Sequence, residues 1–360
     1  MTEPGRGKLK VFLGYAAGVG KTYQMLVEAQ DLRRHNRDVV VGYFEPHGRK
    51  DTIAQAEGLE FIPRRVFDYR GAKFEEMDTD AVAARHPQVA VVDEFAHTNA
   101  PGSDRPKRWQ DVMLLLDSGI DVLTSLNVQH IESLNDQVWH FTGIRVRETV
   151  PDWVVQEADE TVMVDVTPRA LLHRLERGVV YAPEKAQQAL ENFFSESNLI
   201  ALRELALRQT AHQIEERRDD MRLPEPVVAP RSGRDERILI LLTPHPSTAM
   251  LIRRGRRVAD YLDSICTALY VGKDKTLADL SPEDRAAIDR HFNFCRNMRI
   301  TPEIIESDDP PRAIVSYARD KGITQIFVTR DAPRIQKLAQ LSRDMQVTIV
   351  AERVRPGQER

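Results

Sequence analysis

Cysteine is scarce in this chain: Cys266 and Cys295 are the only two in 360 residues. That excludes a disulfide framework and a C-x-x-C metal or redox motif, and it suits a reducing compartment. Long apolar runs are missing as well. The longest candidates, such as Ile238 to Leu242, are strand-sized, whereas a membrane helix needs about 18 apolar residues or more. The N-terminal MTEPGRGKLK contains no apolar signal core. The ten histidines form no H-E-x-x-H motif and no Cys/His cluster, and there is no G-x-S-x-G elbow. Net charge is small, −4, which gives no hint of a nucleic-acid or acidic-membrane partner. A soluble, cytoplasmic chain is expected.

Hydrophobic residues make up 41% of the sequence, enough for proper cores, and the length suits two or three domains. Over the first 167 residues short apolar runs alternate with helical patterns. Strands are expected at Lys10–Leu13, Val39–Tyr43, Val89–Val92, Val122–Leu126 and Thr161–Val166. Helices are expected at Thr22–Arg34 and Arg108–Leu116. Continuous apolar strands between helices indicate a parallel sheet covered on both faces. Residues 168–222 read as a purely helical extension. The proline-rich stretch 223–234, LPEPVVAPRSGR, reads as a linker. From 235 to 360 the alternation restarts, giving a second, smaller α/β domain.

Between the first strand and the first helix lies GYAAGVGKT, Gly14 to Thr22. The phosphate-binding pattern G-x-x-x-x-G-K-[ST] wants its first glycine at position 15, where this chain has Tyr15; Gly14 comes one residue early. The second half of the motif is intact. Gly18, Val19 and Gly20 permit close backbone approach to phosphates at a helix N-terminus. Lys21 reaches the β- and γ-phosphates, and the Thr22 hydroxyl is a Mg²⁺ ligand. VAVVDE ends an apolar strand with Asp93 and Glu94. Asp93 is the expected Mg²⁺ partner and Glu94 the expected catalytic group that polarises water. The alternative for the loop is a tight strand-to-helix turn, and for the two acids a solvated strand end.

Other segments offer candidates. Glu45, His47 and Arg49 follow the second strand, where open α/β sheets place ligands. Gln129 and His130 follow the fourth strand, at the place of a γ-phosphate sensor, though a lone residue there is more often structural. Arg49, Arg105, Lys107 and Arg108 are cations that would assist hydrolysis, and each reads more simply as a surface charge.

These motifs add up to a family. GYAAGVGKT, the His47-Gly48-Arg49 element, VVDEFAHTNAPGS, KRWQD, GIDVLTSLNVQHIESLND, VRETVPD and NLIALRELALR occur in order. Together they resemble the N-terminal cytoplasmic region of KdpD-type potassium sensor kinases from about Lys8 to Arg217. Relatives share the G-x-x-x-G-x-G-K-T form of the loop. The resemblance implies ATP and Mg²⁺ as ligands, with Asp93 as the Walker-B acid. It implies a role in potassium (turgor) two-component signalling, with a sensor kinase, response regulator or potassium transporter component as partner.

Residues 235–353 resemble the universal-stress-protein domain that follows in this family. The glycine-rich loop that many such domains use for ATP is missing from VTRDAPRIQKLAQLSRD. Some relatives resemble a cyclic-di-AMP receptor there. The serine-rich loop of those relatives corresponds to TPHPST, Thr243 to Thr248, with His245 in place of a serine. The membrane helices, phosphoacceptor domain and catalytic domain of a sensor kinase are absent from the sequence. The chain is therefore expected to be a regulatory module, or a weak stand-alone ATPase, rather than a histidine kinase. A non-hydrolysing scaffold whose second domain senses a cyclic dinucleotide is the further alternative.

Overall fold

A computed structural model of the chain describes residues 5–177, 194–220 (backbone only from 212), 236–262, 264–330, 332 and 334–351. The expected linker at 223–234, and residues 178–193 and 221–222 of the expected helical extension, lie outside the described residues. Two compact units are present, Met1–Met221 and Arg222–Arg360.

In the first unit the chain runs β1 (Leu9–Gly14), α1 (Lys21–Arg34), β2 (Val39–Tyr43), α2 (Lys50–Gln55), β3 (Glu60–Phe61), β4 (Arg65–Tyr69), β5 (Ala72–Glu76) and α3 (Thr79–Arg85). It continues with β6 (Val89–Val92), α4 (Arg108–Asp117), β7 (Asp121–Asn127), α5 (Asn135–Thr142), α6 (Asp152–Gln156), β8 (Glu160–Met163), α7 (Pro168–Glu176) and α8 (Glu196–Asp220). Six strands form one parallel sheet in the order β3-β2-β6-β7-β1-β8. β4 and β5 make a separate antiparallel hairpin.

The apolar runs explain the sheet. Val39–Tyr43 and Val89–Val92 are buried along their whole length, as strands covered by helices on both faces must be. On α1, Lys21, Met25, Leu26 and Ala29 form the buried stripe, the spacing of one helix face. α7 and α8 close the core with Leu171, Leu175, Leu199, Leu202 and Leu205.

Register decides what meets at the C-terminal edge of this sheet. Gly14 lies opposite Asn127 in the β1–β7 ladder. Val92 lies opposite Thr124 between β6 and β7, which brings Asp93 level with Ser125. Parallel sheets place ligands at this edge.

The second unit contains β9 (Arg237–Leu241), α9 (Thr248–Tyr261), β10 (Ile265–Gly272), α10 (Pro282–Asn297), β11 (Thr301–Glu306), α11 (Pro310–Asp320), β12 (Gln325–Thr329), α12 (Ile335–Leu341) and β13 (Gln346–Val350). Its parallel sheet has the order β11-β10-β9-β12-β13. β9 splits its side chains between two cores: Ile238 and Ile240 on one face, Leu239 and Leu241 on the other. Both units are thus α/β with parallel sheets, as the apolar strand runs lead one to expect. Among the described residues, no helix is long and apolar enough to cross a membrane.

Candidate functional site

β1 delivers the chain into the loop Tyr15–Gly20. Tyr15, where the strict motif has glycine, is fully buried, and its hydroxyl donates to the Val166 carbonyl at 3.0 Å. Burial pushes its phenol up to about 12. The early Gly14 has a steric reason. A Cβ there would lie 2.6 Å from Val19 Cγ2 and 2.9 Å from Lys21 Cδ, well inside contact distance. Gly18 (φ 88°) and Gly20 (φ 109°) lie in the left-handed region that glycine enters without strain.

Arg174, on α7, donates through Nη1 to the carbonyls of Gly18 (3.2 Å) and Val19 (3.3 Å). In a trans peptide the N–H points opposite to the C=O. The amides of Val19 and Gly20 therefore point away from Arg174, on the far side of the loop.

Lys21 opens α1 and is only 8% exposed. Its ammonium donates to the Ala16 carbonyl at 3.2 Å and to Asn127 Oδ1. Burial lowers its pKa to about 8, against the opposing charge of Asp93. Asp93, buried at the end of β6, accepts from Thr22 Oγ1 at 3.3 Å and from Ser125 Oγ. Burial raises its carboxyl above the usual range, and the Ser125 bond offsets part of that rise. A desolvated cation whose two bonded partners are neutral, beside a desolvated acid–hydroxyl pair, suits an incoming anion with its own divalent cation.

Glu94 follows in a left-handed backbone, φ 57°. Its carboxylate accepts from His47 Nε2 at 3.0 Å. Burial alone would raise the Glu94 carboxyl. The His47 bond and the charges of His47, Arg108 and His97 outweigh it, and the carboxyl lies below its usual range. His47 and Gly48 also have positive φ, 47° and 71°, and the Arg49 amide closes the turn on the Pro46 carbonyl at 2.9 Å. Gly18, Gly20, Lys21, Thr22, Asp93, Glu94, His47, Arg49 and His130 line one open cleft. His130 Nδ1 donates to the Glu148 carbonyl at 2.8 Å, and burial lowers its pKa.

The four candidate cations divide. Arg49 lines the cleft. Arg105 pairs with Asp111, and Lys107 Nζ donates to Thr98 Oγ1 at 2.7 Å. Arg108 is not the surface charge its position suggests; it is fully buried. Its guanidinium lies 3.6 Å from the Tyr43 ring centre, pairs with Glu76 at 2.7 Å and reaches the Asp93 carbonyl at 3.4 Å. Glu76, the last residue of the hairpin, also accepts from His97 Nε2 at 3.1 Å and from the Ala100 amide at 2.8 Å. The cluster joins the first residue of α4 to the last residue of the hairpin, and no local pattern announces it.

Sequence reasoning passed over Asn127 and Ser125. Their one signal is that polar residues end an apolar strand, and that signal acquires meaning once β7 is known to lie between β6 and β1.

In the second unit the TPHPST turn carries bonds within itself. The hydroxyls of Thr243 and Thr248 are 2.8 Å apart, and His245 Nδ1 lies 2.7 Å from Ser247 Oγ. His291 Nδ1 donates to the Thr243 carbonyl at 3.1 Å.

The chain is similar to several known proteins. The KdpD sensor protein of Escherichia coli is 43% identical over 356 residues, covering 97% of this chain and 40% of that one. That of Mycobacterium tuberculosis is 42% identical over 323 residues, covering 90% and 37%. A KdpD-type relative from Synechocystis sp. is 46% identical over 328 residues, covering 90% of this chain and 85% of its own. The chain thus spans most of the Synechocystis relative and well under half of the other two. Similar solved structures include a universal stress protein in complex with cAMP, 12% identical, covering 32% of this chain and 95% of that one at a TM-score of 0.26. Another, of the universal stress protein family from Burkholderia pseudomallei, is 16% identical, covering 34% and 98% at 0.27. The family model for the osmosensitive K⁺ channel His kinase sensor domain, KdpD, matches residues 5–214, and the chain belongs to that family.

Proposed function

We propose that the first unit is a Mg-ATP-binding regulatory module of potassium (turgor) two-component signalling. The observation that carries this reading is the buried Lys21 ammonium, held by the neutral Ala16 carbonyl and Asn127 beside the Thr22–Asp93 pair. In this reading the amides of Gly18, Val19 and Gly20 and the Lys21 ammonium hold the phosphates. Thr22 and Asp93 would hold Mg²⁺. Glu94 is the group next to a water that would attack. ATP, when bound, supplies the phosphoanhydride and its negative charge.

The module acts on a sensor kinase, response regulator or potassium transporter component by binding it differently with and without nucleotide. A ligand shifts an equilibrium only by its differential affinity for the two states. The relatives' membership of sensor proteins supports this signalling role. Calorimetric titration with Mg-ATP is the test. Wild type should bind, and Lys21→Ala should lose affinity by about two orders of magnitude, the scale of removing a buried charge-assisted contact. Absence of binding by wild type overturns the reading and leaves a scaffold with a vestigial loop.

A further inference from the structure

The cleft raises the question of whether the site cleaves what it holds, and the Pro46–Lys50 turn answers it. We infer that His47 is a positioning residue that latches the Glu94 carboxylate to the β2 loop, so that the site retains ATP rather than turning it over. The inference rests on the reading of the cleft as a Mg-ATP site.

Glu94 and His47 belong to different strand ends, β6 and β2, which are neighbours in the sheet. Each sits in the left-handed backbone region, at φ 57° and 47°. Non-glycine residues hold that conformation only when the surroundings impose it. Gly48 at φ 71° and the Arg49–Pro46 backbone bond shape the turn that aims the imidazole at the carboxylate. The result is a 3.0 Å bond between two groups that local sequence separates widely.

Chemistry then decides the direction of the effect. In hydrolysis, water oxygen bonds to the γ-phosphorus and the bond to the β–γ bridging oxygen breaks. ADP leaves with that electron pair, and the water proton passes to the base. A base must lie within hydrogen-bond reach of the water whose proton it takes. Glu94 Oε1 instead accepts from His47, which holds the carboxylate toward the β2 loop. The latch is made to open, because its side chains are 45% and 36% exposed, and a half-exposed ion pair costs little to break. A partner that captures His47 would free Glu94.

The test uses the full chain. In His47→Ala, phosphate release at saturating Mg-ATP should rise about fivefold or more, with Mg-ATP affinity unchanged within about twofold. Glu94→Gln added to this variant should remove the gain. His47→Gln keeps an N–H donor and should restore most of the restraint. In ligand-free His47→Ala, amide hydrogen exchange over residues 93–97 should quicken while global thermal unfolding stays as in wild type. A release rate at or below wild type in His47→Ala, with Mg-ATP still bound, overturns the latch and leaves the ATP reading standing. Failure of wild type to bind Mg-ATP overturns both.

Discussion

The Lys21 ammonium donates to Asn127 Oδ1 across the end of the β1–β7 ladder, where Gly14 faces Asn127. The lysine is thus bonded to neutral oxygens alone, while Asp93 acts on it through its nearby charge. Asn127→Asp would bond it directly to a carboxylate in a region of low dielectric. Mg-ATP affinity should fall more than about tenfold, or about 1.4 kcal/mol. Asn127→Ala, which leaves Lys21 its Ala16 carbonyl, should lose much less. Titration of both variants separates a charge effect from a packing effect; equal losses would count against the neutral-partner argument.

Tyr15 and Gly14 make a paired prediction about the irregular loop. Rewriting the loop to the strict spelling, Tyr15→Gly, should damage the protein. The ring is fully buried, and emptying such a site costs about 3–5 kcal/mol. Tyr15→Phe loses the bond to Val166 alone, about 1 kcal/mol. Gly14→Ala should push the Lys21 stem aside and lower Mg-ATP affinity, with a smaller loss of stability. Urea unfolding beside nucleotide titration distinguishes the three.

The strands of the main sheets were legible because parallel strands covered on both faces are apolar end to end. The Gly18–Thr22 segment and the Asp93-Glu94 pair could be picked out as candidates because each is contiguous in the chain. The β4–β5 hairpin was not. Its strands RVFDY and AKFEE carry charge on both faces, and its two-residue turn is Arg70-Gly71, both at positive φ, where Asn-Gly would have signalled the turn. With the hairpin went Glu76, and with Glu76 the reason for burying Arg108. Asn127, Ser125 and Arg174 reach the loop or Asp93 only through strand order and the docking of α7, which are long-range facts that local spacing does not encode.

Glu76 sets an acid limit on the first unit. Burial alone would raise its carboxyl, yet bonds from His97 and Ala100 and the charge of Arg108 bring it below the usual range. A carboxyl lowered in the folded state binds fewer protons there than in the unfolded chain. Its stabilisation is therefore complete above the unfolded pKa, about 4.3, and is lost as pH falls through the folded value. Glu76→Gln should flatten stability against pH in that acidic range. It should also cost about 3–5 kcal/mol at neutral pH, because Arg108 is left buried without its partner. Denaturant unfolding from neutral to acid pH reads both effects. An unchanged acid slope would mean that other carboxylates carry the acid limit.

Arg174 ties the helical segment to the Tyr15–Gly20 loop, and its removal should be felt at the loop more than in the core. Its guanidinium holds the Gly18 and Val19 carbonyls, and by peptide geometry this fixes where the Val19 and Gly20 amides point. Arg174 is only partly buried, so each bond contributes less than the 1.5–3 kcal/mol of a buried charged one. Arg174→Ala should weaken Mg-ATP by about three- to tenfold and quicken amide exchange at residues 18–20. Lysine offers one point charge where arginine offers a planar fork, so Arg174→Lys should recover part of the affinity. If affinity falls while exchange at 18–20 stays as in wild type, the arginine acts through its charge on the bound phosphates and not by ordering the loop.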